Sequence, residues 1–182
     1  NLALRTVEGT DLAIYYDFET SFGEFNITFQ SSITDKFEQE PSAQFQAISA
    51  AVADGTLPAY TTLEGYGDLL NNENTGTDQK DTLKVNFRNG DWGASLTALR
   101  LGELLDNGVK SDDGQVYVIP SMTTANVSVY KKFTLRGNDA RVRLMIRNVA
   151  DERAPLADGW FGFYSDIHRD DGRHFYLDLK MD

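Results

Sequence analysis

The sequence predicts an all-β fold: an antiparallel up-and-down meander of about seven strands, forming a segment of a transmembrane β-barrel. Three observations predict it. Apolar and polar residues alternate with period two through seven stretches, the pattern of strands with two unlike faces. Tight turns and long connections follow one another in strict alternation. No apolar run reaches the roughly 18 residues of a membrane-spanning helix, whereas a barrel strand needs only every second residue apolar.

In the first stretch Leu12, Ile14, Tyr16 and Phe18 share one face, and Asp11, Ala13, Tyr15 and Asp17 the other. Thr20-Ser21-Phe22-Gly23 reads as a turn. The second stretch sets Phe25, Ile27 and Phe29 against Asn26, Thr28 and Gln30, and the third sets Leu83, Val85 and Phe87 against Lys84, Asn86 and Arg88. Asn89-Gly90 is a hairpin signal, because both residues tolerate positive φ. The fourth stretch carries Trp92, Ala94, Leu96 and Ala98 with Ser95 and Thr97 between them. The fifth covers Val116 to Thr134, with Val127 and Val129 facing away from Asn126, Ser128 and Tyr130. After Arg136-Gly137-Asn138-Asp139 the sixth sets Val142, Leu144 and Ile146 against Arg141, Arg143 and Arg147. The last alternates Phe175, Leu177, Leu179 and Met181 with His174, Tyr176, Asp178 and Lys180.

The connections near residues 20–24, 88–91 and 135–139 are minimal, and those over 37–80, 104–116 and 151–172 are long. In a meander this sorting places every tight turn at one end and every long loop at the other. Outer-membrane barrels have the same asymmetry, with short periplasmic turns and long extracellular loops. Ala43–Ala53, alanine-rich with Phe45, Ile48 and Val52, is the one segment with helical potential, inside the longest loop. Arg141, Arg143 and Arg147 cannot enter a dry core without partners. They suit a wet or plugged lumen, where Asp11 and Asp17 could pair with them, or the solvated face of a soluble sheet.

A formal charge of −11 and a pI near 4.5 argue against nucleic acid as a partner. The absence of cysteine excludes disulfides, thiolate chemistry and zinc–cysteine sites. Asn1-Leu2-Ala3-Leu4-Arg5 does not open a signal peptide, so a leader was removed or the chain begins inside something larger. There is no nucleophile elbow, phosphate loop or histidine-rich metal signature, and no enzyme activity is predicted.

Arg147-Asn148-Val149-Ala150-Asp151-Glu152-Arg153-Ala154-Pro155, then Asp158-Gly159 and His168, then Gly172-Arg173-His174-Phe175-Tyr176-Leu177-Asp178-Leu179 resemble the end of TonB-dependent outer-membrane receptors. In that family an asparagine–hydrophobic–x–acidic turn leaves the penultimate strand and a proline follows. The closing strand then opens on Gly-Arg and alternates aromatics with leucines. Upstream, Val7-Glu8-Gly9-Thr10-Asp11 with Tyr16 is similar to the entry of a long barrel strand, and Asn89-Gly90-Asp91-Trp92 resembles a periplasmic hairpin. The match is dense over 140–181 and sparse elsewhere.

The resemblance implies that residues 1–182 are the C-terminal portion of such a barrel in the bacterial outer membrane, with the plug domain and earlier strands outside this chain. Barrels of the family have about 22 strands around a plug. They import a scarce nutrient (iron–siderophore, cobalamin, oligosaccharide or peptide) with energy delivered through TonB. The implied partners are outer-membrane lipid, TonB, the barrel-assembly machinery and a small-molecule or oligomeric nutrient. No cofactor is implied. Phe175, Leu177, Leu179 and Met181 would form the outward face of the closing strand and the signal that the assembly machinery reads. The family ends on an aromatic, so one is expected after Asp182, on the face of Met181.

Tyr60, Tyr66, Trp160, Phe161, Phe163 and Tyr164 fall in the long loops, with His168 beside the last of them. They form either a ligand-contacting surface or ordinary loop-on-loop packing, or an interfacial aromatic girdle. A lone loop histidine is more often solvated than a ligand, and His168 with His174 defines no metal geometry. No metal site is predicted. Asp112-Asp113-Gly114 and Asn71–Asp78 could hold Ca²⁺, but turn chemistry explains them equally well. Trp92, just after a tight turn, suits a periplasmic girdle. The other functional class open to this pattern is a soluble all-β carbohydrate-binding module with aromatic loops. Free strand edges would make the isolated piece self-associate.

Overall fold

A computed structural model describes residues 4–58, 66–72, 75–111 and 114–181. The elements are β1 (Arg5–Thr20), β2 (Gly23–Gln39), α1 (Ala43–Ala53), β3 (Gly67–Asp68), β4 (Gln79–Asn89), β5 (Trp92–Leu101), β6 (Leu104–Lys110), β7 (Val116–Ile119), β8 (Met122–Leu135), β9 (Asn138–Arg147) and β10 (His174–Met181). The main sheet runs β1-β2-β4-β5-β8-β9-β10, every pair antiparallel, with β3 added to the end of β2. This is the predicted meander. The long connections 40–78, 102–121 and 148–173 leave from one end and the tight turns from the other.

Among the described residues the sheet is open: β1 pairs only with β2, and β10 only with β9. β1 and β2 extend well past the predicted stretches, through residues with little apolar content. A bulge makes this possible, since Glu8 and Gly9 pair with Lys36 and Thr34 and leave Asp35 extra. Gly9 is required there, because a Cβ would lie 2.5 Å from the Ile33 carbonyl oxygen.

Two local expectations are corrected. The stretch Val116–Thr134 is not one strand. Pro120 has no N–H to give a ladder, and the chain breaks at Pro120-Ser121 into β7 and β8. β7 pairs instead with β6 in a separate two-stranded sheet within the loop connection. The second hairpin turn is Gly90-Asp91 rather than Asn89-Gly90. Asn89 pairs with Trp92 as the last ladder rung, and of the turn residues Gly90 alone has positive φ, at 53°. Arg136-Gly137 is the connection with both residues at positive φ, 53° and 87°, the signature of a twist-matched two-residue turn.

The pairing registers sort all seven long strands into two faces. Tyr16, Ile27, Val85, Leu96, Val127, Ile146 and Phe175 are one continuous cross-strand row. The next row toward the turns is Phe18, Phe25, Phe87, Ala94, Val129, Leu144 and Leu177. Phe18 stacks on Phe25 at 4.9 Å, and Phe25 meets Phe87 at 4.9 Å. Trp92 lies on this face at the turn end, under the Lys131 ammonium at 4.9 Å. Toward the loops the apolar face ends at a polar row, where Asp81 accepts from Ser31 Oγ at 2.6 Å and pairs with Arg100 at 3.3 Å. Phe175, Leu177, Leu179 and Met181 share the apolar face and are exposed. Among the described residues no second layer covers it, and the buried apolar side chains are few and lie mainly at the loop end.

Candidate functional site

The opposite face is polar because every intervening residue points there. The row Asp17, Asn26, Asn86, Ser95 and Ser128 crosses five strands in register. Asn26 donates to Asp17, Asn86 donates to Asn26 at 3.2 Å, and the Ser95 and Ser128 hydroxyls bond at 2.8 Å. This face bounds a cavity of about 780 Å³ at the turn end, lined also by Glu19, Glu24, Arg88, Tyr130 and Arg143, and by Phe18, Phe25, Phe87 and Ala94 of the adjoining apolar row. Tyr130 lies flat over Gly93, where any Cβ would fall 2.3 Å from its ring. The expected pairing of Arg141, Arg143 and Arg147 with Asp11 and Asp17 does not form. Asp17 and Arg143 line the same cavity, but strand geometry hands Asp17 its nearest neighbour, Asn26, as partner.

The loop end is a packed cap. Leu104, Ile119, Asp106 and His168 are its most completely buried side chains, with Met122 and Asn72 close behind. Asp106 joins two connections: its carboxylate accepts from Gly108 N at 3.1 Å and from Asp158 N at 2.6 Å. The Leu105 amide donates to the Asn71 carbonyl at 2.7 Å, which ties in the third. Asn148, at φ 49°, holds the exit of β9, accepting from Glu152 N and donating to the Glu152 carbonyl. The Arg153 guanidinium grips both oxygens of Asp170 and holds that carboxyl down to about 2.

The sequence-predicted ligand residues separate on this cap. Tyr60 lies outside the described residues. Tyr66 is half-buried against Phe45 of α1, 5.4 Å between rings, which is loop-on-loop packing. Tyr164 is half-buried, and its carbonyl accepts from Ile167 N and His168 N. Trp160 is 94% exposed and Phe161 is exposed beside it, at the tip of the 148–173 connection. His168 is corrected: it is 1% exposed rather than solvated, because the turn from Tyr164 folds it under the loop. Trp160 and Phe161 are therefore open at the loop surface, and His168 is closed off beneath it. Asn71–Asp78 shows turn chemistry where it is described, with Asn71 Oδ1 accepting from Asp78 N and Asn72 Oδ1 from Thr75 N. Asp112 and Asp113 lie outside the described residues. Asp106 and the polar row were missed by sequence reasoning. The row was visible in principle as the common parity of Asn26, Asn86, Ser95 and Ser128.

Burial lowers the pKa of His168, whose ring nitrogens have no hydrogen-bond partner. As pH falls below the ordinary histidine value of about 6.5, the unfolded state takes up the proton first and stability drops. The protection factors of loop-cap amides, with intrinsic exchange at each pH divided out, should therefore fall between pH 7.5 and 5, and His168→Leu should flatten that dependence. An unchanged pH dependence in the variant would remove His168 as its source.

No family model, curated protein or solved structure matches this chain.

Proposed function

We propose that this chain is part of the barrel wall of a TonB-dependent outer-membrane receptor that binds and imports a scarce nutrient, and that it catalyses no reaction. The observation that carries the reading is the unbroken, uncovered apolar face across all seven long strands, backed by a polar face that bounds a cavity. Lipid outside and a hydrated lumen inside suit these two faces. The apolar band also runs obliquely to the ladder. In β1 it begins at Leu12, four residues before the row of Tyr16, whereas in β10 it begins at Phe175, in that row. Four residues are about 13 Å, against about 29 Å for six strand spacings, so the strands cross the band at a tilt, as barrel strands do. The terminal resemblance over 140–181 adds the family.

On this reading the tight turns are periplasmic, Trp92 sits at the inner interface, and Trp160 and Phe161 present the first aromatic contact to an iron–siderophore, cobalamin, oligosaccharide or peptide. A soluble carbohydrate-binding sandwich would need a second sheet over the apolar face, and the β6–β7 hairpin is too small and lies in a connection.

Introduced thiols test the reading in the protein at its natural length, expressed in bacterial cells, with the unsubstituted protein as the labelling control. Trp160→Cys should react with a membrane-impermeant maleimide on intact cells. Leu177→Cys should stay unreactive until detergent is added. Equal labelling of both on intact cells, or of neither after outer-membrane isolation, would overturn the assignment.

A further inference from the structure

We propose that the polar face of β8, β9 and β10 is a docking site for an acidic polypeptide segment. Lys132, Arg141 and Lys180 stand directly opposite one another across the three strands. Adjacent strands are about 4.8 Å apart, so their Cα atoms span only about 10 Å. Like charges set opposite one another, as Lys132 and Arg141 are, destabilise a sheet. The three line a cavity of about 400 Å³ together with Asp91 and Asp139, yet among the described residues neither acid forms an ion pair with Lys132 or Arg141. Arg143 and Arg147 continue the positive strip along β9 with the same parity. Asp178 lies opposite Arg143 in register without an ion pair between them.

The Nε atoms of Arg141 and Arg143 are buried and have no hydrogen-bond partner. An unpaired buried donor is costly, and a guanidinium fork is matched by carboxylates. Acidic groups brought in from outside relieve both the repulsion and the orphaned donors. The length of the strip selects a polypeptide. Arg141 to Arg147 spans about 20 Å, more than one phosphate or citrate covers, and alternate residues of an extended segment recur about every 6.6 Å, the step from Arg141 to Arg143. Several such contacts act together at high effective concentration. The inference stands on the charge of this face and is independent of where the protein resides or what it imports.

Titration of the full chain in detergent micelles with a deca-glutamate peptide tests it. Binding should weaken steeply with added salt. The triple variant Lys132→Gln, Arg141→Gln, Arg143→Gln should lose roughly tenfold or more in affinity, with its β-sheet circular dichroism unchanged. Arg141→Lys alone, which keeps the charge and loses the fork, should fall between the native chain and the triple variant, and Arg100→Gln, on the opposite face, should retain all of the affinity. Three results would overturn the proposal: no binding at low salt, equal binding by the triple variant, or displacement of the peptide by citrate at equal carboxylate concentration, which would make this a small-anion site.

Discussion

Leu144→Arg with Leu177→Arg should abolish stable insertion of this sheet into a bilayer. The two leucines are cross-strand partners on the apolar face, 50% and 75% exposed, with no protein against them. An arginine facing the middle of a bilayer costs about 2–4 kcal/mol. Two set opposite each other add their mutual repulsion, so about 4–8 kcal/mol is expected together. That corresponds to a fall of roughly a thousandfold or more in the folded-to-unfolded ratio, since each 1.4 kcal/mol is tenfold. Urea titration of the protein in phosphocholine vesicles would measure it. Ser128→Arg, on the polar face of the neighbouring strand β8, should cost about 1 kcal/mol or less. If the double variant proved as stable as this control, the apolar face would not meet lipid, and the membrane reading would fall with it.

The faces were legible in the sequence because each depends only on parity within a strand. Leu83, Val85 and Phe87 announce their common side without reference to any other strand. Strand order was legible too, since connections as short as Ser21-Phe22 force neighbours to pair. The registers were not, and they are what align Tyr16 with Phe175 across the whole sheet. The β6–β7 hairpin was hidden because Leu104-Leu105-Asp106-Asn107-Gly108 has no alternation, and its pairing slips between Asp106 and Lys110. Of the ligand candidates, the exposed Trp160 and Phe161 belong to a Gly-flanked tip that sequence could place on the surface. The burial of His168 depends on how 148–173 folds over the other connections, which no local pattern records. The cap is thus the part of the molecule where long-range contacts decide the outcome, and its stability rests on few groups.

Asp106→Ala should release that cap while leaving the main sheet intact. The Asp106 side chain is fully buried beside Leu104 and Ile119, and its carboxylate holds the amides of Gly108, in its own strand, and Asp158, in the neighbouring connection. Hydrogen bonds to a charged group contribute about 1.5–3 kcal/mol each, and a buried donor left without an acceptor adds its own cost. Alanine removes both bonds and leaves a cavity, so a local destabilisation of about 3 kcal/mol is expected, or roughly a hundredfold faster exchange at the Asp158 amide. Asp106→Asn keeps an acceptor but loses the charge and should fall between wild type and alanine. Amides of Ile27, Val85 and Leu96, in the sheet, should exchange as before. Chymotrypsin should cut faster at Trp160–Phe161, whose exposed rings then sit on a loosened stem. Unchanged exchange at Asp158 would mean that the 148–173 connection is held by Arg153–Asp170 and the Asn148 turn instead. In that case Trp160 and Phe161 would be positioned by their own loop, without help from β6 and β7.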